Sequence, residues 1–132
     1  RAEDESQIVL RDGVLIATRG LGHDIGSTSS KTMIAALSAR EPLQGLHQLY
    51  LVTGDNGTEV LNLMCRTDEV GPEIVDIGAR GYETRHVRAN CASGFGDITF
   101  DFWVSQQGQT VWQSRQWAGP ELGHMRLRLL KE

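Results

Sequence analysis

The sequence predicts an all-β, mainly antiparallel fold: a meandering β-barrel or sandwich of about eight strands with one short helix. Three observations predict it. Short alternating or β-branched runs recur between turn signals at intervals of about 10–20 residues, with no strand–helix–strand alternation. Residues 100–120 hold all 3 tryptophans and two of the 3 phenylalanines, and read as two strands joined by a tight turn at Gln107-Gly108. Aromatic and β-branched side chains suit a pleated, half-buried surface, and a hairpin so rich in them needs other strands to cover it. Lastly, only one segment, residues 31–40, carries a helical stripe.

A chain of 132 residues is expected to form one domain, 1–132, burying roughly 65–70% of its unfolded surface. With 39% hydrophobic and 23% charged residues it is globular in composition. A net charge of −4 and a pI near 5.5 argue against nucleic acid and against a polybasic membrane patch. No apolar run approaches the ~20 residues that cross a bilayer. The acidic start, Arg1-Ala2-Glu3-Asp4-Glu5, is not a signal peptide, so the reading is a cytosolic protein or one whose processed N-terminus lies outside these residues.

Taken in order, residues 6–11 and 14–19 flank Asp12-Gly13 and form an opening hairpin. Residues 20–26 contain three glycines, but the spacing is not a dinucleotide fingerprint and no βαβ unit surrounds it; a direction-changing loop is the better reading. Ser27-Thr28-Ser29-Ser30 supplies N-cap candidates for the helix, whose apolar positions are Met33, Ile34 and Leu37 and which Pro42 stops. Residues 46–53 and 58–66 flank Gly54-Asp55-Asn56-Gly57 as a second hairpin. Along the return strand Leu61, Leu63 and Cys65 share one face. Strands follow at 73–78 and 82–91; in the latter Val87, Ala89 and Cys91 face one way and His86, Arg88 and Asn90 the other. The last strand, 124–130, alternates Met125, Leu127 and Leu129 with arginines, half-buried and polar outside.

The parity of Cys65 and Cys91 turns both toward a core. They can bridge if their Cα atoms lie within about 7 Å, or remain two buried thiols; a bridge needs an oxidising compartment.

Candidate chemistry is sparse. Asp97 and Asp101 share a strand face about 13 Å apart, too far for a glycosidase carboxylate pair. His23, His47, His86 and His124 lack metal-ligand spacing, Ser105 and Ser114 lack a nucleophile elbow, and the cysteines lack activating neighbours apart from Arg66. No catalytic residue, metal or cofactor is therefore assigned. In β-alternation Gln113, Arg115 and Trp117 take one side of their strand and Trp112, Ser114 and Gln116 the other. Arg115 and Trp117 are residue types of binding hot spots, and an aromatic ring beside Arg and Gln suits a sugar. Trp103, Arg115, Gln116 and Trp117 are the candidate surface, weighed against plain burial of the tryptophans.

Phe102-Trp103-Val104, the turn Gln107-Gly108, Val111-Trp112-Gln113-Ser114-Arg115-Gln116-Trp117 and Gly119-Pro120 resemble the closing motif of the YjbF/GfcB family of bacterial lipoproteins: a tryptophan-bearing strand, a glycine turn, Trp-x-Ser-x-Gln and Gly-Pro. Residues 12–21 with Asp24 are similar to the family's opening stretch. The resemblance implies a β domain not known as an enzyme, linked to group 4 capsule and exopolysaccharide production and to an outer-membrane β-barrel partner. It implies a periplasmic home with an N-terminal lipid anchor on the outer membrane. Cys65 and Cys91 lie within strands and cannot carry that lipid, so the chain reads as the C-terminal, soluble part. A periplasmic home favours the Cys65–Cys91 bridge. The expectation is a non-catalytic envelope protein supporting polysaccharide secretion through partner or glycan contacts. The rival readings are a β-barrel carrier of a small ligand, and a polysaccharide-acting enzyme using Asp97 or Asp101.

Overall fold

The computed structural model describes residues 6–39, 41–52, 57–108 and 110–130. Strands β1 (Gln7–Arg11) and β2 (Val14–Arg19) make a two-stranded sheet. Then come β3 (Ile25–Ser29), helix α1 (Lys31–Ser38), β4 (Gln44–Val52), β5 (Thr58–Ile77), β6 (Arg80–Ser93), β7 (Gly96–Ser105), β8 (Val111–Trp117) and β9 (His124–Arg128). The seven strands β3 to β9 pair strictly in chain order, always antiparallel, and curl into a half-barrel. The meander expected from the turn spacing is the fold, with nine strands among the described residues.

The opening hairpin closes through Asp12 (φ 50°) and Gly13 (φ 86°), both left-handed, which gives the turn the twist its strands require. A side chain at Gly13 would also collide with Val111. At the aromatic hairpin the Gly108 N–H donates to the Ser105 carbonyl at 2.8 Å and Gly108 has φ 77°, so glycine serves the tight turn as expected. The tip of the second hairpin, residues 53–56, lies outside the described residues.

Two segments differ from the sequence reading. Residues 25–29, taken as loop and caps, form the edge strand β3 against β4. Residues 58–66 and 73–78, taken as separate strands, are one 20-residue strand. Pro72 interrupts neither, because it sits beside a bulge: the register shifts between Glu69 and Gly71, and a bulge is where a strand tolerates proline. The bulge also reverses alternation. Leu61, Leu63, Cys65 and Thr67 face the main core, whereas Val75 and Ile77 face the opposite side and pack with Tyr82, Trp103, Trp112 and Leu129.

The main core lies inside the curl. Phe100, Phe102, Val104, Leu49, Leu63, Ile25, Met33 and Val14 are among its fully buried members. Cys65 and Cys91 are direct register partners of β5 and β6, with Cα atoms 4.0 Å apart, and form a disulfide. Helix α1 covers one end of this core with Met33, Ala36 and Leu37. Ser30 occupies its N-cap position without a side-chain capping bond, so burial holds the helix rather than the cap. Gly45 on β4 leaves room for the helix, since a Cβ there would strike Thr32. The helix C-terminus is satisfied from below: buried Arg85 donates to the Leu37 and Ala39 carbonyls, both at 2.9 Å, and pairs with Glu69.

The glycine loop before β3 is organised by one carboxylate. Asp24 accepts from the Gly20 and Leu21 amides at 3.1 and 3.0 Å and from the Thr18 hydroxyl at 3.0 Å. Those amides are the donors an anion-binding loop would offer, and here Asp24 holds them.

His47 is buried within the main core, edge-on to Phe100, and its Nδ1 has no partner among the described residues. Burial pushes the imidazole down from its usual 6.5 to about 4. Between those values the unfolded chain binds a proton that the folded chain does not. Stability from this group is therefore complete above pH 6.5 and is lost as pH falls toward 4, by roughly 3 kcal/mol at most. The difference in unfolding free energy between the parent and His47→Leu, followed by denaturant titration, is expected to change across this pH window and to be flat above it.

Candidate functional site

The register of β6 to β9 sets which side chains meet on the face opposite the main core. His86 is paired with Trp103, Arg88 with Asp101, Asp101 with Arg115, Trp103 with Gln113, Gln113 with Arg128 and Arg115 with Arg126. Register partners share a side of the sheet, so these residues form one contiguous patch.

At its centre is a network of charged and polar side chains in which His86 and Asp101 are buried and Arg88 and Glu73 reach solvent. Asp101 Oδ1 accepts from Arg88 Nε at 2.8 Å and lies 2.6 Å from His86 Nε2. His86 Nδ1 lies 3.6 Å from Glu73 Oε1, and the imidazole stacks on the Trp103 ring at 4.3 Å and 17°. Both ring nitrogens of His86 thus face carboxylates. Asp97 is exposed and takes no part, so Asp97 and Asp101 are not a matched pair. Among the described residues no group of three or more His, Cys, Asp and Glu side chains is arranged to hold a metal ion.

Beside this network the strands β8 and β9 enclose a pocket of about 160 Å³, lined by Trp103, Gln113, Arg115, Arg126, Leu127 and Arg128. Arg128 Nη2 donates to Gln113 Oε1 at 2.7 Å. The Trp103 Nε1–H is buried without a partner among the described residues.

The four residues expected to form a recognition surface are divided by the fold. Trp103 and Arg115 do line this pocket, both half-buried. Gln116 does not share their face: it is fully buried and bonded on the inner side. Its Oε1 accepts from the Leu15 amide at 2.8 Å, and its Nε2 donates to the Gly13 carbonyl and the Ser114 hydroxyl, both at 2.9 Å. Gln116 thereby offers a strand-like donor and acceptor to β2 and pins the opening hairpin to β8. Trp117 is 7% exposed and belongs to the main core. It is the last residue of β8, where the chain leaves the ladder and alternation no longer dictates direction. Trp112 is displaced as well. The register shift between Trp103 and Val104 carries it to the opposite face, stacked on Tyr82 at 3.8 Å.

Sequence reasoning missed Asp101 with His86 and Arg88 as a unit, and missed Arg126 and Arg128 beyond their polar alternation. The signal that finds them is cross-strand register. Period-two parity assigns a face but not a neighbour.

The model of the family described as "Group 4 capsule polysaccharide lipoprotein gfcB, YjbF" matches residues 1–130. Among solved structures, the crystal structure of the hypothetical lipoprotein YmcC from Escherichia coli (K12) superposes with a TM-score of 0.84 at 22% identity, covering 98% of this chain and 68% of that one. At that identity the likeness concerns the fold. No curated protein matches the chain.

Gln116→Leu is expected to lose about 2–4 kcal/mol of unfolding free energy, because it strands the Leu15 amide and the Gly13 carbonyl. Arg115→Gln, on the other face of the same strand, is expected to stay within about 0.5 kcal/mol. Urea titration of the two variants distinguishes a hairpin pin from a surface group.

Proposed function

The chain belongs to the YjbF family of group 4 capsule polysaccharide lipoproteins, and from that premise we propose that it is a non-catalytic cell-envelope protein supporting production or secretion of capsular or exopolysaccharide. The observation that carries this reading is the family match across residues 1–130. The chain acts as the soluble β domain of a lipoprotein, in the periplasm, held to the outer membrane by an N-terminal lipid. The Cys65–Cys91 disulfide supports such a compartment, since bridges persist where the surroundings are oxidising. Its contacts are with an outer-membrane β-barrel or other secretion proteins, or with the polysaccharide itself, and the face bearing Trp103 and Arg115 is the surface for them.

The geometry supports a contact role over a reaction. The acid–base candidates His86 and Asp101 are tied to each other, Asp101 Oδ1 also accepts from Arg88, and Glu73 faces the second ring nitrogen of His86. Phe100, Phe102, Leu49 and Leu63 fill the interior that a small-ligand carrier would need open.

Cells lacking the gene are expected to show less surface polysaccharide, and the parental gene in trans restores it; immunostaining of the polymer reads this directly. Purified protein incubated with the polymer is expected to leave its size distribution unchanged in gel filtration. Normal surface polymer in the deletion strain, or a shortened polymer in the tube, would sink this reading.

A further inference from the structure

We infer that the pocket between β8 and β9 binds the carboxylate of an acidic sugar, a hexuronate unit of an anionic polysaccharide. Only the sugar half of this inference rests on the family reading; the anion half rests on the pocket itself.

Arg115 and Arg126 are direct register partners, so two guanidinium groups project from adjacent strands on one side of the sheet. Like charges placed opposite one another destabilise a sheet. Among the described residues neither has an ion pair or a side-chain hydrogen bond. Arg128 adds a third cation, engaged among the described residues only by the neutral Gln113 amide. The nearest acid on the patch, Asp101, is buried and already accepts from Arg88 while facing His86, and Glu73 faces His86 from the other side. This concentration of unmatched positive charge belongs to a chain of formal net charge −4, so it is not a by-product of composition.

A guanidinium offers a planar fork that matches two carboxylate oxygens, and the two arginines of adjacent strands line the same pocket. Trp103, whose buried Nε1–H has no partner among the described residues, is one of the residues lining the pocket. Trp103 has one ring face against His86, and with the Gln113 amide it provides the flat aromatic and planar polar walls on which a hydroxylated ring settles. A volume of about 160 Å³ suits one sugar ring rather than a long segment. β9 is the last strand of the sheet, so a polymer can run past the pocket along an open edge.

The test titrates the protein with tri-galacturonate, a neutral galactose trisaccharide and a penta-glutamate peptide at low salt, following tryptophan fluorescence and heat. Tri-galacturonate is expected to bind, to weaken as salt rises, and to lose about tenfold or more in Arg115→Gln and in Arg126→Gln. Arg11→Gln, on exposed β1, is expected to retain parental binding. The melting temperature of ligand-free Arg126→Gln is expected to equal or exceed the parent's, because the substitution removes a like-charge pair. A clear fall in that temperature, equal binding of the neutral sugar, a preference for the glutamate peptide, or unaltered binding in both arginine variants would overturn the inference. The cell assay separates the two readings. Lost surface polymer without uronate binding removes the pocket's role and keeps the envelope role. Uronate binding with normal surface polymer does the opposite.

Discussion

Everything in this fold follows from which side of the sheet each strand residue faces, and two register shifts decide that. A β-strand alternates with period two, so a single extra residue exchanges its faces from that point onward. The shift between Glu69 and Gly71 sends Leu61, Leu63, Cys65 and Thr67 into the curl and Val75 and Ile77 to the opposite side. The shift between Trp103 and Val104 leaves Phe102 inside but swings Trp112 outside, onto Tyr82. One sheet thus carries two apolar clusters on opposite faces. The second anchors Trp103, and through Trp103 the His86 ring, so the patch rests on packed aromatic surface rather than on loops.

Polar groups inside the molecule act as joints between pieces that the hydrophobic effect alone would leave sliding. Burial is non-directional, so it cannot fix where a two-stranded hairpin or a two-turn helix sits on a curved sheet. Gln116 supplies the direction for the hairpin, through a donor and an acceptor matched to Leu15 and Gly13. Arg85 does the same for α1 by meeting the Leu37 and Ala39 carbonyls, which would otherwise be buried unpaired. Both interactions join residues far apart in sequence. The Trp-x-Ser-x-Gln pattern of residues 112–116 is on this account architectural: Ser114 and Gln116 bond each other and hold β2.

What the sequence made legible was whatever depends on neighbours along the chain. The Asp12-Gly13 turn, the Gln107-Gly108 turn, the 31–38 helix and the inward parity of Cys65 and Cys91 are local chemistry, and each stands in the structure. The runs 58–66 and 73–78 read as two strands because the polar, glycine- and proline-bearing segment between them carries no alternating apolar signal, whereas pairing with β6 continues through it past a bulge. Ser27-Thr28-Ser29 misled because hydroxyl residues serve caps and edge strands alike, and only the pairing of Thr28 with Leu49 decides between them. Of the candidate site, alternation put Arg115 and Gln116 on opposite sides of β8, where the structure has them, so Gln116 could not share a surface with Arg115. It fails for Trp117, which stands at the last position of β8 and turns into the main core.

The division of labour between the faces has a consequence for how this domain tolerates change. Inner-face groups are mutually dependent: Gln116, Arg85 and the Phe100–Phe102 cluster each satisfy or shape another buried group, so a change in one is felt by the rest. The side chains of Arg115 and Arg126, by contrast, make no hydrogen bond or ion pair among the described residues and oppose each other across β8 and β9. A repulsive pair is not what stability alone would retain, since a neutral residue at either position relieves it at no packing cost. Its presence next to Trp103, on a rigid part of the sheet and in an acidic chain, is accounted for by something anionic that arrives from outside and lies between the two arginines.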